Sequence, residues 1–196
     1  MSWSVLKRVA TFALACLGVA YPVLVYFGLT TFSPRIILTG LMIVVLLRAT
    51  MFAVTKRYVA TGLVVMVAII LAIAGIASEL VAIRFYPVIV SLTMGTVFTI
   101  TLFSKAPMIE RLARIKMPDL DDYAITYTRT LTKVWIGFFI ANAMISGWTA
   151  YYASMAIWTL YNGLVSYILM GVLFIGEWPV RRILRARHDR KIKGNA

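Results

Sequence analysis

Residues Tyr58–Ser78 read YVATGLVVMVAIILAIAGIAS, a stretch with no charged side chain and a large majority of aliphatic ones. About 20 such residues in a helix cross the ~30 Å hydrocarbon core of a bilayer. A helix this apolar on every face is either deeply buried in protein or bathed in lipid. Comparable stretches at Val9–Thr30, Ile36–Val54, Tyr86–Phe103, Val134–Ser154 and Met155–Gly176 bring the expected total to about six spans. Turn signals support the cuts. Ser33-Pro34 separates the first two spans, and Pro87 is expected in the first turn of the fourth, where its missing N–H costs little. The last two spans are nearly continuous, so Tyr151–Ser154 must hold a tight reversal.

Composition agrees with this reading. The 196 residues are 62% hydrophobic and 14% charged, against roughly 25% charged in soluble domains, and the mean hydropathy is +0.90. Six spans leave no length for a separate soluble domain, so the chain reads as a single all-α polytopic transmembrane bundle over residues 1–196. The first apolar stretch follows Lys7 and Arg8 as a signal peptide would, but its length and the spans that follow at once make it a retained helix. Cys16, the only cysteine, lies inside it and reads as packing.

The basic residues orient the bundle. With the N-terminus inside, all of the 20 Lys and Arg except Arg35 and Arg84 fall on the inner side, the side on which short basic loops are retained. Five or seven spans would spoil this asymmetry, so both termini are expected in the cytoplasm. The net charge of +13 is therefore a topology signal. No nucleic-acid partner is expected, because the cations lie between and after apolar stretches.

One connection, Ser104–Lys133, is long enough to have structure. Met108, Ile109, Leu112 and Ile115 share one side of a helical wheel, with Glu110, Arg111 and Arg114 on the other, so an amphipathic helix lying on the inner membrane surface is expected. Lys116 falls on the apolar side and places the helix end before Met117-Pro118. Asp119-Leu-Asp121-Asp122 is suited to cap a second short helix leading through Tyr127 and Arg129 into the fifth span. The tail 181–196 is basic and is expected to rest on anionic lipid of the inner leaflet.

Polar side chains inside a bilayer are costly and so are the first candidates for function. Arg48, in the second span, is close enough to the inner face to snorkel, and Glu177 at the inner end of the sixth span is its candidate partner. Arg35, Glu79 and Arg84 form a candidate cluster at the outer rim, against the plainer reading that each faces headgroups. Asn142 and Asn162 differ in height by roughly 10 Å at 1.5 Å per residue, which argues against a shared site and for separate interhelical hydrogen bonds. Gly137, Ala141, Ala143 and Gly147 suit close helix packing. Trp135, Trp148, Tyr151, Tyr152, Trp158 and Trp178 cluster at span ends, as interfacial aromatic belts do.

The raw material for familiar chemistry is thin. His188 is the only histidine and lies in the basic tail, and no phosphate loop or dinucleotide fingerprint occurs. No metal site and no cofactor is expected, and an enzyme reading is weak.

The second half nevertheless carries distinctive wording. Phe85-Tyr-Pro-Val-Ile-Val90, Met108–Arg114, Tyr127-Thr-Arg129, Trp135–Asn142, Trp158-Thr-Leu-Tyr-Asn-Gly163 and Gly176-Glu177 resemble a family of uncharacterised bacterial inner-membrane proteins. The family's genes occur in aryl polyene biosynthesis clusters, beside acyl carrier proteins, ketosynthases, acyltransferases and exporters. The Pro-x-Ile-x-Arg segment at Pro107–Arg111 and the Trp-x-x-Phe-Phe run at Trp135–Phe139 are also similar to the septation protein A family of envelope proteins. The likeness covers about Phe85–Arg182; the earlier spans share only hydropathy and Phe32-Ser-Pro-Arg35. It implies a role in envelope biogenesis with biosynthetic enzymes or exporters as partners. It implies no reaction, and attaches Arg111, Arg114, Tyr127, Arg129, Asn142, Tyr161, Asn162 and Glu177 to the shared pattern only as candidates.

Three functions follow as expectations. The first is a non-enzymatic membrane protein that assists envelope-lipid or aryl polyene assembly, docking partners on Ser104–Lys133 and the tail. The second is a small transporter of an amphipathic substrate, which should show interrupted helices or an internal repeat. The third is a membrane-embedded enzyme acting on lipid intermediates. Dispersed polar residues favour the first; convergence of Arg48, Asn142, Tyr161, Asn162 and Glu177 on one pocket favours the others.

Overall fold

The computed structural model describes residues 20–115 and 117–194, with side chains through Arg182. The helices are residues 20–28 (α1), Pro34–Val54 (α2), Tyr58–Ala77 (α3), Glu79–Leu102 (α4), Met108–Arg114 (α5), Asp122–Tyr152 (α6), Met155–Leu160 (α7) and Ser166–Gly194 (α8), with a π-helical turn, Tyr161–Val165, joining α7 to α8. Among the described residues five helical stretches are long and apolar enough to cross a membrane, the last running through α7, the π turn and α8 as far as Arg182. The chain is a multi-pass membrane protein built as an all-α bundle. Of the expected first span Val9–Thr30, the part before residue 20, with Cys16 and the flanking Lys7 and Arg8, lies outside the described residues. So do Lys116 and the tail side chains beyond Arg182, His188 included.

Burial is inverted relative to a water-soluble fold. Ile76 is 87% exposed and Phe103 88%, while serines and threonines such as Ser146 and Thr132 are fully buried. Lipid tolerates the first and offers no partners to the second, so hydroxyls turn inward to bond carbonyls and one another.

Local chemistry sets the helix limits. Pro34 opens α2 behind Ser33, as a residue without a needed N–H should. At the far end, Lys56 N–H bonds Ala53 O and Arg57 N–H bonds Phe52 O, each at 2.9 Å, with Lys56 itself in the left-handed region at φ 56°. That is a Schellman closure made without glycine.

Two boundaries differ from expectation. The fourth span begins at Glu79, not Tyr86, because Ser78 caps it by accepting from Val81 N–H and Glu79 supplies a carboxylate to the first turn. Pro87 therefore lies inside α4, where it leaves the carbonyl of Ile83 without its helical donor. The hydroxyl of Tyr21 on α1 donates to that carbonyl at 2.7 Å. The expected short helix before the fifth span is instead the start of α6: Asp121 accepts from Ala124 N–H at 2.8 Å, and no Gly or Pro interrupts the chain from there to Gly137.

Packing is led by α4 against α6, with α2 and α3 on the other side of α4. Gly95 brings α4 and α6 together: a Cβ there would stand 3.4 Å from Phe139 Cβ. The close approach expected at Gly137 does not occur, since a Cβ there meets nothing within 4 Å. The helix alternation gathers Lys56, Arg57, Lys105, Arg111, Arg114 and Arg181 at one end, here the basic end.

α5 departs from its wheel. Glu110 faces the protein, 3% exposed and paired with Arg114 at 2.8 Å, while Arg111 is exposed with Leu112 and Ile115. Packing α5 against α6 buries the carboxylate, and the i,i+4 arginine neutralises it. Two of the expected belt aromatics are core residues as well, Trp158 being fully buried and Trp135 8% exposed, whereas Trp148, Tyr151, Tyr152 and Trp178 are exposed.

Candidate functional site

A cavity of about 300 Å³ opens in the middle of the bundle between α1, α2, α4, α6 and α8. Arg48 enters it from α2, Tyr86 and Ser91 from α4, Asn142 from α6, and Asn162 and Tyr167 from the last helix. Ser91 is near the midpoint of the 24-residue α4, roughly 18 Å from either end at 1.5 Å per residue. Arg48, six residues before the end of α2, opens onto this mid-bundle cavity.

The polar wall is held by two sets of hydrogen bonds. Asn142 donates to Ser91 Oγ at 2.9 Å and accepts from the Tyr161 hydroxyl at 3.0 Å. Asn162 accepts from Ser146 at 2.7 Å and donates to Thr149 Oγ1 and to the Trp158 carbonyl. Each asparagine makes the expected interhelical hydrogen bonds, and Asn162, bonded to Ser146 and Thr149, stays offset along α6 from Asn142; the expectation that this offset keeps them from a shared site is corrected, since both line one cavity. The reason is the reversal at Ala153 and Ser154, where Ser154 accepts from Ile157 N–H and starts α7 at once. The hairpin lays Tyr161 and Asn162 against Asn142 and Ser146.

The π turn contributes as well. Tyr161–Val165 winds more widely than an α-helix, as helices often do at functional sites. Asn162 is on that turn, with its side chain 4% exposed. A Cβ on Gly163 would stand 3.2 Å from Val23, so the turn seats directly on α1.

Other candidates lie elsewhere. Glu177 does not meet Arg48: it pairs with Arg181 at 3.4 Å and lies within hydrogen-bonding reach of Tyr127. Tyr127 and Glu177 line a second space, an apolar groove of about 620 Å³ where α6 and α8 splay apart toward the basic end. Arg111 closes the turn before α5 by donating to Ala106 O and Ser104 Oγ, and Arg114 donates to Glu110 and Pro118 O. Arg129 is exposed on α6.

At the opposite end Arg35 and Glu79 pair at 2.9 Å, with Arg35 83% exposed. Arg84 does not join them. It turns inward and donates to the carbonyl of Ala153, just past the end of α6, and to that of Thr149, which also accepts from Ala153 N–H, while its own carbonyl accepts from Trp158 Nε1 at 3.0 Å.

Sequence reading missed Tyr21, Tyr86, Ser146 and Tyr167. For Tyr21 a signal existed: a proline inside a span requires a donor for the carbonyl four residues before it, and a tyrosine is a natural source. Among the described residues no cluster of His, Cys, Asp or Glu is arranged to hold a metal ion. No protein-family model, curated protein or solved structure matches this chain.

Proposed function

We propose that this protein binds the polar end of an amphipathic molecule inside the bilayer, without catalysing a reaction, in support of cell-envelope biogenesis in the bacterial inner membrane. The observation that carries the reading is the convergence of Arg48, Asn142 and Asn162 on one cavity, with Tyr161 bonded to its wall and Glu177 elsewhere, which moves the expectation from a docking scaffold of dispersed residues to a protein that holds a ligand. Intramembrane ionisable groups are retained for ligands, ions or proton paths. Among the described residues neither a carboxylate nor a histidine lines this cavity, and its titratable groups are Arg48 and tyrosines, a set suited to holding a ligand. The resemblance of Phe85–Arg182 to proteins of aryl polyene clusters makes a polyene or related acyl intermediate the leading class of cargo, with assembly enzymes or exporters as partners at the basic, cytoplasmic end.

Deleting the gene and profiling envelope lipids and pigments by mass spectrometry tests this reading. An altered acyl-lipid or pigment profile, restored by the wild-type gene and not by Arg48→Gln, is the expected result; an unchanged profile removes it.

Transport of the same kind of molecule is the second reading. Pro87 in α4 and the π turn both break regular helix hydrogen bonding beside the cavity, as the interrupted helices of transporters do. Flux of a labelled amphiphile across reconstituted vesicles, dependent on the protein, distinguishes it.

A further inference from the structure

We infer that Arg48 takes its counter-ion from outside the chain, so that the cavity seats an oxyanionic headgroup, carboxylate or phosphate, carried on an apolar tail. The inference rests on the cavity being a binding site, as proposed above, and adds the charge and chemistry of what binds there.

The argument is an inventory of acids. The sequence holds seven Asp and Glu. Glu79 pairs with Arg35, Glu110 with Arg114 and Glu177 with Arg181. Asp121 caps α6, Asp122 is in its first turn, and Asp119 lies in the connection just before it, all at the basic end. Asp189 follows the last span. Among the described residues no acid lines the cavity. Residues 1–19 contain no Asp or Glu, so the undescribed start of the first span has no carboxylate to offer either.

An arginine cannot escape by losing its proton, because the guanidinium stays charged at any accessible pH. A lone cation at mid-membrane depth is costly. An incoming anion relieves that cost, and the guanidinium fork matches carboxylate and phosphate oxygens in pairs.

The surrounding wall is biased toward donors. Asn142 Oδ1 is occupied by Tyr161 and Asn162 Oδ1 by Ser146, so the amide acceptors are turned to the protein. Ser91 Oγ already accepts from Asn142, which leaves its own hydrogen to donate. An oxyanion meets the Arg48 guanidinium and the Ser91 hydrogen here. About 300 Å³ is at the small end of ligand pockets: it holds a headgroup, with the tail along Val90, Met94 and Met170.

The test uses the full-length chain in uncharged detergent and three probes that share one oleoyl tail: oleate, 1-oleoyl lysophosphatidate and mono-oleoylglycerol. Binding is read by native mass spectrometry and calorimetry. A single oleate or lysophosphatidate is expected per chain, at least about tenfold tighter than mono-oleoylglycerol, the difference a charge-assisted pair makes. The stronger of the two anions identifies carboxylate or phosphate as the natural group. Arg48→Gln is expected to erase the preference, Arg48→Lys to keep part of it, and Arg129→Gln, which removes an exposed cation, to leave it intact. Full anion preference in Arg48→Gln overturns the inference. So does equal binding of all three probes by the wild type, which leaves the amphiphile site standing. No binding of any probe removes the site and the inference together. If Arg48→Gln does not fold, the wild-type probe ranking and Arg48→Lys decide.

Discussion

The Tyr21 hydroxyl and the Ile83 carbonyl meet at 2.7 Å, and the bond repairs the vacancy that Pro87 makes in α4. Tyr21 is also in edge contact with the rings of Tyr86 and Trp158. Tyr21→Phe keeps the ring and removes the donor. Interhelical bonds in bilayers average below ~1 kcal/mol, but an orphaned buried carbonyl costs about 1–3 kcal/mol. A loss of about 1–2 kcal/mol is expected in unfolding titrated with a denaturing detergent. Unchanged stability would mean that water serves this carbonyl equally well.

Arg84 and Arg35 are expected to behave oppositely, although both lie on the same side of the charge map. Arg84→Met takes the side-chain donor from Ala153 O, while Thr149 O keeps Ala153 N–H, and should cost about 1–3 kcal/mol. Arg35→Gln breaks a pair whose arginine is 83% exposed and should cost no more than about 0.5 kcal/mol after solvent screening. Thermal unfolding of the two variants side by side checks the ranking; equal losses contradict it.

Lys56 occupies a backbone conformation that suits glycine, with φ at 56° in the turn joining α2 to α3. Lys56→Gly removes a steric cost of about 1 kcal/mol while keeping both closing hydrogen bonds. A higher unfolding midpoint is expected, with unchanged topology, since Arg57 still marks that loop as basic. A drop in stability would show that the lysine side chain outweighs the strain.

Orientation is checked chemically. In a Cys16→Ser background, Ser33→Cys should react with a membrane-impermeant maleimide added to intact cells, and Lys105→Cys only after lysis. The reverse pattern would invert the whole bundle.

The spans were legible because a bilayer demands length and apolarity of each crossing, and both are written locally. What was not legible is azimuth. Position along a helix gives depth, so Trp135 and Trp158 read as interfacial, yet both are buried because their faces turn toward α4 and its neighbours. Glu110 failed for the same reason, its carboxylate meeting protein where water was expected. Arg84 read as a loop cation until Ser78 proved to be a cap that pulls it into α4. The cavity was missed because counting rises along separate spans ignores how tightly a hairpin folds its ends together. Asn142 reaches Tyr161, one position before Asn162.

The wide turn at Tyr161–Val165 fixes the rotational phase of everything after it. If those five residues tightened to α geometry, each later side chain would advance around the axis by about 100°, the step of one residue. Tyr167 and Met170 would then leave the cavity and Glu177 would swing off its groove, with no residue replaced. Two chambers at different depths are therefore geared to the same short piece of backbone, and a one-residue insertion or deletion there would detune both at once.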